Sequence, residues 1–405
     1  MPGRPLLSLI GNRGREASLT FINAALLGEQ GIIATSLRLR HGRVDAIDAV
    51  PGRGDLIVDL GGDLLAPGLI NAHDHLEFNC FQRLKWRAHH RNVAEWIADF
   101  QPRFATDPDL RGPLAIPVAD RLWIGGIKNL LSGVTTVCHH NPWQRALDHG
   151  FPVRVVKKFR HSHSLLIDGE KVAAAYRRTP RGWPWIIHLA EGIDAAAAAE
   201  LTRLQELGCL QANTVLVHGV GLTAADRARV IDRGGALIWC PSSNQFLFGE
   251  TAQVAELAAA GRVALGSDSR LSGEQDLLAE LQIAHATRQV DARALFRMVS
   301  SDAARILRLP RAGRLAPGGP ADLVVFPARG GDPFGALVTA RRAALRLVMI
   351  AGRPRLGDVD MAPVFAAAKV ATVRARVDGV EKLLAAAIAQ RLKRAAVTEP
   401  GLEIL

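Results

Sequence analysis

The 405-residue chain is 48% hydrophobic, enough for one large domain and a small accessory one. It has no apolar run approaching the roughly 18 residues of a membrane span, and its opening Met1-Pro2-Gly3-Arg4-Pro5 lacks the apolar core of a secretory signal. The formal net charge is +11, but the arginines are scattered and no nucleic-acid motif accompanies them. Membrane and nucleic acid are therefore not the expected partners. The charge fits an Arg-rich solvated surface, or else an anionic small-molecule substrate. Cys80, Cys138, Cys209 and Cys240 form no CxxC pair and imply no disulfide framework, so a reducing cytoplasm is the expected setting. A homodimer is compatible with the sequence but not required by it.

In chain order, residues 17–63 hold short β-patterned runs split by glycines, such as Leu19-Thr20-Phe21-Ile22 and Leu56-Ile57-Val58-Asp59. The apolar run Gly68-Leu69-Ile70-Asn71-Ala72 then feeds His73-Asp74-His75. On a strand, residues i and i+2 share a face, so both imidazoles can reach one metal ion. Residues 134–138 form another strand, ended by His139 and His140. A further candidate strand spans 153–159 and is followed by Arg160 and His161. Only about 25 residues then precede the next strand, so 163–168 is expected to be a short fourth strand, with an abbreviated helix around 171–178.

Four more apolar runs each end in a polar group. They lead to His188-Leu189-Ala190-Glu191, to His218, to Cys240-Pro241-Ser242-Ser243-Asn244 and to Gly266-Ser267-Asp268-Ser269. Their spacing of roughly one strand plus one helix predicts an α/β chain of the (β/α)8 TIM-barrel type, eroded around its fourth unit, with functional groups at strand C-termini. A helical stretch covers 291–307. Strand-like runs resume at Asp322-Leu323-Val324-Val325-Phe326 and at 345–350. The Ala-, Leu- and Arg-rich tail, 364–397, reads as helix. The expected domains are 1–66 and 313–357 as accessory β-structure, 67–312 as the barrel, and 358–405 as a helical tail.

The ordered set Pro67-Gly68-Leu69-Ile70-Asn71-Ala72-His73-Asp74-His75, His188-Leu189-Ala190-Glu191, His218, Cys240-Pro241-Ser242-Ser243-Asn244 and Gly266-Ser267-Asp268-Ser269 resembles the amidohydrolase superfamily. Its mononuclear branch, with guanine deaminase, cytosine-deaminase-like proteins and triazine hydrolases, is the part it is most similar to. The segment Gly133-Val134-Thr135-Thr136-Val137 and the run from Gly313 to Val325 extend the resemblance over most of the chain. The resemblance implies that strands from both chain ends build one small β-sandwich beside the barrel.

His73, His75, His188 and Asp268 would give one divalent ion, Zn²⁺ or else Fe²⁺, three nitrogens and an oxygen, leaving a position for water. Such an ion lowers the pKa of its water from about 15.7 to roughly 7. Glu191, just past the strand end, suits a proton shuttle. His218 could stabilise charge on the attacked group, and Asp268 could also accept a proton. His139, His140, Ser243, Asn244 and Arg160 are candidates for substrate contact. The blander readings are core histidines, a helix-start carboxylate at Glu191 and a capping Asp268. Cys240, between Trp239 and Pro241, should simply pack, and His89-His90 should be solvated. Lys157 or Lys158 could serve a two-metal variant as a carboxylated lysine. The leading reading is a metal-dependent hydrolase that deaminates an N-heterocycle. The alternative is hydrolysis of a cyclic amide, an amide or a halogenated ring. A non-catalytic scaffold should have lost ligands or the glutamate, and none is missing.

Overall fold

The structure is a computed structural model that describes residues 18–328 and 330–405. Part of the expected first segment, residues 1–17, lies outside the described residues. Eight parallel strands run in chain order in two arcs. Leu69–Asp74, Val134–His139 and Arg154–Val155 form the first arc. Arg160–Ser164, Trp185–Leu189, Thr214–His218, Ala236–Trp239 and Val263–Leu265 form the second. Helices separate most of them, as a TIM-type α/β arrangement requires. The arcs meet where the Asp268 amide donates to the His73 carbonyl at 3.1 Å.

The strands Trp185–Leu189, Thr214–His218, Ala236–Trp239 and Val263–Leu265 are mostly apolar because both faces are covered. Ile70, Ala72, Cys138, Ile186, Val215, Val217, Ile238 and Ala264 pack together on one side. Trp185, Ile187, Leu189, Leu216, Leu237 and Leu265 pack against helix residues such as Leu201, Leu204 and Val230 on the other. Strand alternation places His188 on the Ile186 face. By the same alternation His218 would share the face of Leu216, but its φ of +72° takes it out of the strand and re-aims the ring.

The accessory β-structure draws on both chain ends. Leu64–Pro67 pairs antiparallel with Leu323–Phe326 inside a nine-stranded sheet. A four-stranded sheet holds Leu19–Ile22, Leu37–Arg40, Arg43–Ile47 and Leu56–Asp59. The two sheets share a cluster that includes Phe21, Leu37, Val58, Leu65, Val325, Leu347 and Phe365. Arg154 ties this part to the parallel strands through a two-point ion pair with Asp322. No helix among the described residues is long and apolar enough to cross a membrane.

Two sequence expectations need correction. The fourth strand is Arg160–Ser164 rather than 163–168, because the Ser164 hydroxyl accepts the Ile167 amide at 3.1 Å and starts the helix Leu165–Asp168. The abbreviated helix follows as Lys171–Arg177. The strand candidate 153–159 contributes only Arg154–Val155. Secondly, the tail is not mainly helical. Thr372–Val377 and Val380–Ala385 form a hairpin that extends the nine-stranded sheet, and helix is limited to Ala362–Ala367 and Ala386–Leu392. The hairpin turns at Asp378-Gly379, with φ of +47° and +82°. Asp-Gly between alternating runs is a strong hairpin signal and outweighs an Ala-rich composition.

The tail is anchored by Glu399, whose carboxylate accepts from Arg270 and Arg342. All three side chains are buried. Glu399→Ala should therefore lower unfolding stability by about 3–5 kcal/mol, the cost of leaving buried Arg270 without its carboxylate and Arg342 with Asp378 alone. Denaturant unfolding measures this, and a loss below about 1 kcal/mol would show the anchor to be dispensable.

Candidate active site

The side chains of His73, His75, His188 and Asp268 converge where the parallel strands end. His188 Nε2 lies 3.3 Å from His73 Nε2 and 3.4 Å from His75 Nε2. Nitrogen ligands about 2.0–2.1 Å from a tetrahedral Zn²⁺ stand about 3.3–3.4 Å apart, so the spacing fits such an ion. Asp268 Oδ1 is 3.9 Å from His75 Nε2. Two triads of ligand-type atoms lie within 4.8 Å of one another, His73–His75–Asp268 and His73–His188–His218.

The hydrogen bonds settle ring tautomers. His188 Nδ1 lies 2.8 Å from the His163 carbonyl, which can only accept, so Nδ1 carries the proton and Nε2 keeps its lone pair. Burial holds His73 and His188 well below the ordinary imidazole pKa, which keeps them neutral. For Asp268, burial pushes the pKa up. His75, His218, the Ser269 amide and the Ser272 hydroxyl outweigh it, and the net pKa falls below the usual carboxylate range.

Glu191 is buried, and burial raises its pKa to about 7 despite the pull of His218. Its Oε1 is 3.5 Å from His218 Nε2. The backbone that presents it turns through Ala190 at φ +52°. The Glu200 carboxylate accepts the Ala190 amide at 2.6 Å, and the Gly221 amide donates to the Ala190 carbonyl at 2.9 Å. Gly192 follows, where a Cβ would stand 2.6 Å from the Arg91 carbonyl oxygen.

The other sequence candidates divide. His140 is buried with its ring 4.4 Å from that of His188, and its Nε2 donates to the Ser162 carbonyl at 3.1 Å. His139 is buried and accepts the Leu76 amide at 3.3 Å. Asn244 and Ser243 are fully buried, so neither presents an open contact surface. Asn244 Oδ1 instead accepts from His218 Nδ1 at 2.8 Å, while its Nδ2 donates to Thr251. The Ser243 hydroxyl donates to the Cys240 carbonyl. Arg160 begins its strand opposite Trp185, at the end away from His188, and lies over the Trp183 ring. Both corrections follow from register: helix Pro241–Phe248 starts directly after the strand, and the fourth strand starts earlier than expected. Cys240 packs in the core, and its thiol is pushed well up by burial. His90 is not solvated but buried against Asp99 at 3.1 Å. Lys157 is exposed and pairs with Asp148 at 3.1 Å, and Lys158 beside it is exposed as well.

Sequence reasoning missed His163, Glu200 and the buried Lys128. Only Lys128 left a signal, as a lone cation in Ile127-Lys128-Asn129-Leu130-Leu131.

Residues 182–355, which carry His188, Glu191, His218 and Asp268, match the Amidohydrolase family. Over 339 residues the chain is 26% identical to a 5-methylthioadenosine/S-adenosylhomocysteine deaminase of Halobacterium salinarum, covering 70% of this chain and 77% of that protein. Among solved structures it is similar to an adenosine deaminase from Xanthomonas campestris with bound zinc, at TM-score 0.67 and 19% identity over 87% of this chain and 97% of that one. It is also similar to the atrazine chlorohydrolase TrzN from Arthrobacter aurescens TC1 complexed with zinc, at TM-score 0.66 and 17% identity over 86% and 100%. The two structural likenesses bear on the fold alone.

Asn244→Ala removes the acceptor that fixes the His218 proton on Nδ1. Turnover should fall about 10–100-fold, as for other residues that orient a site histidine, while elemental analysis finds the metal content of the wild type. A parallel loss of metal would assign His218 to the ligand set instead.

Proposed function

We propose that this protein is a metal-dependent aminohydrolase that removes an amino group from a carbon of an N-heterocycle. The observation that carries the reading is the convergence of three imidazole Nε2 atoms beside a buried glutamate held near neutral pKa. His73, His75, His188 and Asp268 would hold one divalent ion, Zn²⁺ first and Fe²⁺ second. When bound, it would supply a water acidic enough to ionise near neutrality.

Glu191 takes the proton of the attacking water and delivers it to the leaving amine, a role suited to a group whose pKa lies near 7. His218, with one ring proton fixed by Asn244, turns Nε2 toward the charge that develops on the attacked ring. Asp268 accepts a proton in the later half of the reaction. His139 and His140 line the substrate side. We read the two arcs as one (β/α)8 barrel over 67–312 with a shortened fourth unit, and the two accessory sheets as a β-sandwich. Four free thiols, Cys80, Cys138, Cys209 and Cys240, fit a reducing cytoplasm.

The same residues would serve hydrolysis of a cyclic amide, an amide or a carbon–halogen bond, and ammonia release separates these. Metal-loaded protein screened over aminopurines, pterins, aminopyrimidines and triazines should release ammonia from at least one class. Glu191→Gln should then keep its metal and lose roughly 10²–10⁴-fold in turnover. A Glu191→Gln protein that turns over at the wild-type rate would remove Glu191 from the mechanism.

A further inference from the structure

Lys128 sits on the helix Val118–Leu131 with its side chain wholly buried. Its ammonium donates to Asn79 Oδ1 at 2.7 Å and to the Asp268 carbonyl at 3.0 Å, and lies 3.3 Å from Asp74 Oδ2. Asp74 is the residue between His73 and His75. Its carboxylate also accepts from Asn71, Asn79 and Asn129 at 3.2, 2.7 and 2.8 Å. Asn71 in turn reaches across to Ser267, the neighbour of Asp268: its Nδ2 donates to the hydroxyl and its Oδ1 accepts the amide.

We propose that Lys128 is a positioning residue that fixes the His73/His75 strand end against Asp268, and so sets the affinity and geometry of the metal site. The inference rests on the ligand set proposed above. A buried ion pair is a poor source of net stability, and an apolar pair of similar volume would hold the helix as well. What an apolar pair could not do is make directional bonds to both ligand-bearing segments at once. The arcs share no ladder at this seam, where the backbone link is the single Asp268-to-His73 hydrogen bond. Asp268 is also held at φ +50°, a conformation that persists only where its surroundings enforce it. The Lys128 bond to the Asp268 carbonyl is one such restraint, and outer residues of this kind tune metal affinity without touching the ion.

The test uses full-length protein stripped by chelator and titrated with Co²⁺, reading visible absorption and, by competition, the dissociation constant. Lys128→Met strands the Asp74 charge, so the double variant Asp74→Asn/Lys128→Met, which removes both charges, is measured beside it. Melting of the metal-free proteins reports folding separately. The double variant should melt close to wild type when metal-free, yet bind Co²⁺ about 10–100-fold more weakly and with an altered visible spectrum. Wild-type affinity and spectrum in the double variant would overturn the inference and leave Lys128 a structural residue. Failure of the wild type itself to bind Co²⁺ would overturn the ligand assignment, and the inference with it.

Discussion

Three strand ends enter the site through left-handed backbone, at Ala190, His218 and Asp268, and the rest of the site depends on holding these turns. For a residue with a Cβ, each such conformation costs roughly 1–3 kcal/mol. Each is met by specific bonds. Glu200 and Gly221 clamp Ala190. Asn244 holds the His218 ring, and the next amide, of Gly219, donates to Leu189. Lys128, Ser269 and Ser272 fix Asp268. The turns break strand alternation at the point where chemistry requires it. A strict two-residue period would send every second functional side chain toward the helices.

The electrostatics follow from the same packing. Burial among neighbouring imidazoles keeps His73 and His188 neutral, the form able to ligate a metal. Burial with a carboxylate neighbour raises Glu191 to about 7, the form that transfers protons at working pH. Asp268 is as buried as Glu191 but is held ionised by two imidazoles and two hydrogen bonds. Two carboxylates in one site are thus driven in opposite directions.

Much of this was legible in the sequence. His73, His75, His188, Glu191, His218 and Asp268 stand at the ends of apolar runs, and the parallel strands expose that pattern directly. The two-ended accessory β-structure followed from the family resemblance. What failed depended on register or on tertiary context. Ser243 and Asn244 lie beyond a strand end like the others, but an immediate helix start buries them. Arg160 fell at the wrong end of its strand because the preceding strand stops at Val155 and the next one starts at Arg160. The tail was misread because Ala and Leu content masked the Asp378-Gly379 turn. Lys128 stands out only as a lone cation in an apolar helical run, and its partner Asp74 becomes visible only in the fold.

The proposed site holds a single metal ion between four residues from the two arcs. Anomalous diffraction from crystals of the protein purified without added chelator, collected across the zinc and iron edges, measures this most directly. One peak is expected, bonded to the Nε2 atoms of His73, His75 and His188 and to a carboxylate oxygen of Asp268. Two peaks bridged by a modified Lys157 or Lys158, or one peak bound outside these four residues, would rule out this ligand set.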